Sequence, residues 1–347
     1  MELKNVPAIS VIIPMYNSEK YIGECLDSLL MQTFQNYELI VVNDCSTDDS
    51  LKIAESYIEK FDGRLKIYTN EKNSGAAFSR NNGLMLARSE YIYFMDSDDL
   101  LLLTALEKMY KAAKEFNADF VNLSGFYEMS ADAKEIKAVN FKIERIFTKG
   151  TDAPFIDDDL SWRLQKQLTY RYYGSAVLRL FRRDFLIKNK LFFPENVKRC
   201  EDVVWKYGIL ILAKRIVHLP FLLYFYRMSE NSLTRQKRSQ VQYINSRMTT
   251  IIDGIKWIDD IMNRVDFFKE NPQQRYAVFD EFMYDMFRRL LPHTLKKKKA
   301  DVAVYEAVKQ GFGEKLGKYN VLVAELCSLI DNQMREMSKI REQMKSD

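Results

Sequence analysis

Residues 96–99 read Asp96-Ser97-Asp98-Asp99 and follow directly on an apolar run, Tyr91-Ile92-Tyr93-Phe94-Met95. Asp96 and Asp98 can both approach one hard cation. Mg²⁺ or Mn²⁺ takes oxygen ligands and completes its shell with substrate phosphates. Such an ion neutralises charge on a diphosphate leaving group. The competing role is structural, with the same aspartates capping a helix that begins near Leu100. A second acidic pair, Glu201-Asp202, stands before Val203, Val204 and Trp205 and is expected to open a helix. Carboxylates there are favoured by the helix dipole. They would also stay ionised, as a general base must be to take the proton of an attacking hydroxyl. Arg80 is either a solvated helix residue or a partner for phosphates. No Walker A sequence and no GxGxxG follows the first apolar run, so phosphates would be handled by metal and by Arg80 rather than by a glycine cradle.

These residues need a frame. Strand and helix alternate through the first third of the chain. Apolar runs at 9–13, 39–42, 65–68 and 91–95 read as strands, the first nearly continuous as in a buried parallel sheet. Between them, Tyr21, Ile22, Cys25, Leu26, Leu29 and Leu30 share one helical face. Residues 46–49 offer N-caps to a helix burying Ile53, Tyr57 and Phe61. Helices are also expected over about 76–87 and 103–116. This rhythm predicts an α/β fold with a parallel sheet and helices on its faces. In such sheets ligands bind beyond the carboxyl ends of the strands. That rim receives Pro14, Tyr16 and Asn17; Asn43, Asp44 and Ser46; Asn73, Ser74 and Gly75; and the acidic run with Ser97. Loops are polar in general, but that alone does not place an acid cluster against an apolar strand. After about 121 the alternation breaks, residues 128–165 read as loop-rich, and from about 240 the pattern is helical and charged.

Length and composition exclude several classes. The chain has 347 residues, 47% apolar, enough for a large core and an accessory region. A net charge of +4 lacks the basic footprint of a nucleic-acid protein. Four scattered cysteines and two histidines make a His/Cys zinc site improbable and suit reduced thiols in the cytoplasm. Residues 1–7 do not read as a secretory signal. The longest apolar stretch, 216–226, is broken by His218 and Pro220 and is too short to span a bilayer, which needs about 20 residues.

Four segments resemble the family 2 glycosyltransferases of the inverting, GT-A type found in bacterial polysaccharide synthesis: residues 10–17 (SVIIPMYN), 41–48 (VVNDCSTD), 75–83 ending Arg80-Asn81-Asn82-Gly83, and 95–99 (MDSDD). Glu201-Asp202 matches the acceptor-side acidic motif. The likeness is specific over about 8–126 and weaker over about 170–234, ending in Tyr226-Arg227 and Asn231-Ser232-Leu233-Thr234. It implies a GT-A nucleotide-sugar-binding sandwich with a mixed, mainly parallel central sheet. The catalytic domain would cover 1–235, with a nucleotide-binding half over 1–126 and an acceptor-side half over 127–235. A helical region would follow over 236–347. Pro14, Tyr16, Asn17, Asp44 and Ser46 would line the nucleoside pocket, Asp44 reading the base, commonly uracil. Arg80, Asp96 and Ser97 would serve ribose and diphosphate, Asp98 with Asp96 the Mn²⁺ or Mg²⁺ ion. Asp202 would be the base and Glu201 would orient the acceptor, a saccharide or lipid-linked saccharide. Relatives often carry a tryptophan and a lysine before Leu180-Phe181; here the stretch is Gly174-Ser175-Ala176-Val177-Leu178-Arg179.

Two rivals remain open at this stage. A non-catalytic nucleotide-sugar-binding subunit would keep Asp44 and Asp98 but need no base. A nucleotidyltransferase would show a Gly- and Arg-rich phosphate loop near the first strand, and none is found. The tail adds a separate expectation. Phe279, Phe282, Met283, Met286, Phe287, Leu290 and Leu291 fall at helical spacing before Lys296-Lys297-Lys298-Lys299, with Pro292 interrupting. Apolar anchors beside a basic run suit peripheral contact with an anionic membrane on its cytoplasmic face. The same stripe would also suit packing on its own domain or a homo-oligomer.

Overall fold

The computed structural model describes residues 6–140, 153–170, 175–197, 200–228 and 240–294. The chain divides into two compact units, Met1–Glu195 with Glu201–Gln236, and Asn196–Cys200 with Lys237–Asp347.

The first unit is built on one mixed sheet. Its parallel half comprises β1 (Ile9–Met15), β2 (Tyr37–Asn43), β3 (Leu65–Thr69) and β4 (Tyr91–Phe94), in the order β3-β2-β1-β4. The helices between them are α1 (Ile22–Leu30), α2 (Ser50–Glu55) and α3 (Ala76–Leu86). Every residue of β2 and all but Pro14 of β1 is buried, which is why these strands read as continuous apolar runs rather than alternating ones. The fit of α3 to the sheet depends on Gly83. A Cβ there would lie 2.3 Å from Ile12 Cγ2, so only glycine lets the helix approach β1 this closely.

The sheet continues through β9 (Arg179–Arg182), which runs antiparallel to both β4 and β6 (Phe120–Ser130). Then comes β10 (Ile216–Met228), parallel to β6, and at its edge the two-residue β5 (Leu100–Leu101), antiparallel to β10. β7 (Ile136–Asn140) pairs with β6, and β8 (Phe155–Asp157) pairs with β10. α4 (Ala105–Glu115), α5 (Leu160–Tyr170), α6 (Arg183–Lys188) and α7 (Glu201–Leu212) complete the unit. The long apolar stretch at 216–226 is thus a strand. Pro220 has no N–H for the ladder, and the β6–β10 register slips between Leu219 and Leu222.

Two expectations are corrected here. No helix begins near Leu100: Leu100–Leu101 pairs with Tyr224 and Phe225 as a strand, and the next helix opens at Ala105, so residues 96–99 cap nothing. The helix after residue 49 ends at Glu55, and Tyr57 and Phe61 are buried from the turns that follow, while Ile53 is only half-buried.

In the second unit, α8 (Gln240–Met262), α9 (Phe267–Glu270) and α10 (Pro272–Thr294) pack together, with α10 against α8. Phe282 and Met286 of the stripe are buried, as is Val278 beside them. Arg275 bonds Asp259 and Asn263 across the helix pair. α10 carries Pro292 in its last turn and runs on to Thr294, where the sequence suggested a break. Lys296–Lys299 lie outside the described residues. Among the described residues no helix is long and apolar enough to cross a membrane.

Candidate active site

The ends of the parallel strands converge as the α/β rim requires, and side chains lock their loops together. Asn17 adopts φ 48°, a left-handed conformation asparagine tolerates, and takes Thr47 N–H at 2.8 Å. Its own N–H donates to Ser46 Oγ at 3.1 Å. The loop after β1 is thereby fixed to the loop after β2. Ser18 ties in the third loop, its Oγ lying 2.6 Å from Ser97 Oγ. Pro14 is half-buried at the end of β1, and Tyr16 is 50% exposed on the rim. An aromatic face left in solvent beside buried strands is a surface on which a planar base can stack.

Asp44 is buried and organises the entrance to α3. Its Oδ1 accepts from Asn70 Nδ2 at 2.8 Å and Ser74 N–H at 2.9 Å, and its Oδ2 accepts Gly75 N–H at 2.7 Å. Gly75 sits at φ 89°, a conformation that favours glycine. A carboxylate has about four lone-pair sites. These three donors leave acceptor capacity on Oδ2. Asn70 also receives Asn82 and donates to Ser79, so it is a hub of this corner that the sequence reading missed; an asparagine after an apolar strand gives no signal of its own.

Arg80 joins the two acidic motifs. It is 7% exposed, not solvated. One arm donates to Asp96 Oδ1 at 2.7 Å and another to Glu201 Oε1 at 3.1 Å, with the guanidinium 5.3 Å over the Phe193 ring. Burial works against its charge, but Asp96 and Glu201 outweigh that and shift its pKa upward, so the group stays protonated. Burial, and then the charge of Asp202, raise the Glu201 pKa, while Arg80 opposes them. Asp202 Oδ1 accepts Val203 N–H at 2.8 Å at the start of α7. Helix opening and a place at the site are therefore compatible for this pair. Phe193 itself is fixed from α3: Asn81 accepts Phe193 N–H and donates to Phe193 O and Glu195.

The acidic loop is held from beneath. Asp99 is fully buried, accepting Tyr224 Oη–H at 2.5 Å and Arg227 N–H at 2.7 Å. Burial, reinforced by Asp98 and Asp96, pushes its pKa well above the carboxylate range. Asp98 is half-buried, and the Asp96 side chain is 32% exposed. Among the described residues no three His, Cys, Asp or Glu side chains converge as a ready-made cage. Asp96 and Asp98 carry hard carboxylate oxygens of the kind a Mg²⁺ or Mn²⁺ ion takes alongside substrate phosphates. Arg179, at the place of the expected lysine, is buried in the sheet, donating to Asn122 Oδ1 at 2.9 Å and Ser175 O at 2.8 Å.

Comparison with known proteins bears on this arrangement. The uncharacterized glycosyltransferase EpsJ of Bacillus subtilis (strain 168) is 33% identical over 229 residues, which is 66% of this chain and 63% of that protein. Glycosyltransferase GlyG of Streptococcus pneumoniae serotype 4 is 32% identical over 234 residues, 65% of this chain and 73% of GlyG. The matched stretch thus spans under two thirds of EpsJ. The crystal structure of S. aureus TarS 1–349 superposes with TM-score 0.64 at 25% identity, covering 92% of this chain and 87% of that one; the same fragment in complex with UDP gives 0.53 at 25% identity, covering 86% of each. This is the GT-A fold, as the family resemblance implied. The profile described as Glycosyl transferase family 2 matches residues 10–172, which takes in β1, the Asp44 corner, Arg80 and the acidic loop. With GlyG matched over nearly three quarters of its length at 32% identity, the chain belongs to glycosyl transferase family 2.

Proposed function

We propose that the protein transfers a sugar from a UDP-sugar to an acceptor hydroxyl with inversion at the anomeric carbon, in the assembly of a bacterial surface polysaccharide. The observation that carries this reading is the Arg80 bridge, which brings the strand-end carboxylate Asp96 and the α7 carboxylate Glu201 onto one guanidinium. Phosphate-side and acceptor-side groups then face a common space, as a single displacement needs. Tyr16, Asn17 and Asp44 receive the nucleoside. The remaining acceptor capacity of Asp44 suits the imide N–H of uracil, which cytosine lacks, and UDP in the related TarS fragment supports the same choice. Asp96 and Asp98 would hold a divalent ion, which supplies charge neutralisation to the departing diphosphate. Asp202 removes the acceptor proton as its oxygen attacks, and Glu201, held by Arg80, orients the acceptor. An α-linked donor then yields a β-glycoside.

The test is a panel of nucleotide sugars incubated with the protein, Mn²⁺ and chelator in separate arms, with nucleoside diphosphate release as the signal. UDP release that needs Mn²⁺ and is abolished by Asp98→Ala is expected. Full turnover in excess chelator would overturn the metal role, and pyrophosphate release from a nucleoside triphosphate would redirect the protein to nucleotidyl transfer.

A further inference from the structure

We propose that Arg227, with Tyr224, is a positioning residue for the metal, fixing the backbone from which Asp98 projects. The inference rests on the proposed role of Asp96 and Asp98 as ion ligands. Tyr226-Arg227 is conspicuous in the sequence, yet the transfer chemistry gives it no task.

Arg227 is 2% exposed and spreads its donors over three separate segments. Nε donates to Asp98 O at 2.9 Å, one terminal nitrogen to Ala131 O at 2.9 Å in the β6–β7 turn, and the other to Glu24 on α1 at 2.5 Å. The guanidinium lies 4.9 Å over the Tyr21 ring. Its backbone N–H and the Tyr224 hydroxyl each hold one oxygen of Asp99, and Asp96 N–H points to the same hydroxyl at 3.5 Å. β10 therefore grips the loop at Asp96, Asp98 and Asp99, and Ser18 holds it at Ser97.

The electrostatics are consistent with a holding role. A cation beside a cation site would repel the ion if uncompensated, but Arg227 is paired with Glu24. What remains is geometry. A loop ligand donates well only if its peptide is fixed, and outer-shell partners of metal ligands typically govern about 10- to 100-fold in metal affinity. Lysine cannot substitute: one ammonium on a flexible stem cannot reach Asp98 O, Ala131 O and Glu24 along three directions.

The experiment compares the full chain with Arg227→Lys, Tyr224→Phe and Asp98→Ala. Mn²⁺ affinity is read by electron paramagnetic resonance in the presence of UDP. UDP affinity is read by calorimetry in chelator, and the unfolding midpoint is recorded for each. Arg227→Lys should weaken Mn²⁺ binding 10-fold or more and Tyr224→Phe several-fold, with metal-free UDP affinity within about twofold of the parent. Should Arg227→Lys fail to fold, Tyr224→Phe, which removes a single oxygen, decides the question. Mn²⁺ binding that survives in both variants while Asp98→Ala abolishes it would overturn the proposal, as would equal losses of Mn²⁺ and metal-free UDP binding. Mn²⁺ binding untouched by Asp98→Ala would instead overturn the metal reading on which the proposal stands.

Discussion

Replacing Arg80 by methionine removes the charge at the centre of the site and keeps most of the apolar stem. Two charge-assisted hydrogen bonds disappear, at 2.7 Å to Asp96 and 3.1 Å to Glu201. Taking away one partner of a buried pair costs about 3–5 kcal/mol, because the charge left behind is uncompensated. Water relieves part of this, since the Asp96 and Glu201 side chains are 32% and 19% exposed. A loss of about 2–4 kcal/mol in unfolding free energy is expected. Glu201→Gln in the Arg80→Met background should recover part of it, because one of the two stranded charges is gone. A double-mutant cycle over the two positions should give a coupling of about 1–3 kcal/mol. Trp205 stacks on Phe193 at 4.2 Å, and Phe193 lies under Arg80, so tryptophan fluorescence during urea unfolding reads the right place. A coupling below about 0.5 kcal/mol would mean that the bridge does not hold in solution, and the link between the two acidic motifs would fall with it.

Gly83→Ala should destabilise the protein by about 1–3 kcal/mol in thermal melts despite the better helix propensity of alanine, since the new methyl collides with Ile12 Cγ2. Asp202→Asn should lower kcat about 10²- to 10⁴-fold with calorimetric UDP affinity unchanged; intact turnover with lost UDP binding would remove Asp202 from the base role. His218 is buried beside Asp157, Arg163 and Arg179, and burial, against the pull of Asp157, lowers its pKa. The unfolded chain then takes up the proton first. The His218 contribution to stability should be level above about pH 6.5 and fall by at most about 1.4 kcal/mol per unit below it, a slope seen as the difference between the parent and His218→Phe in denaturant titrations at pH 7.5, 6.5 and 5.5.

The sequence alone carries the parallel half of the sheet and the composition of its rim. β1, β2 and β4 are buried on both faces, so each is a continuous apolar run, and the polar residues that end each run fall at the carboxyl edge. That is local information, and it placed Asn17, Asp44 and Asp96 at strand ends on one rim. What local pattern cannot carry is a partner far along the chain. Arg80 reads equally as solvated or buried until Glu201, 121 residues on, arrives beside it. Asp99 reads as a helix cap until Tyr224 and Arg227, more than 120 residues later, take its two oxygens. Pro220 reads as an interruption of an apolar stretch, whereas β10 accommodates it with a register slip against β6. The apolar stripe of α10 suits a membrane or a core by spacing alone, and only the fold shows that Phe282 and Met286 are buried. Periodicity and strand-end polarity are properties of a segment, so they survive in the sequence. Ion pairs and loop clamps between distant segments exist only once the sheet has brought β4, β10 and α7 together, and only tertiary structure decided them.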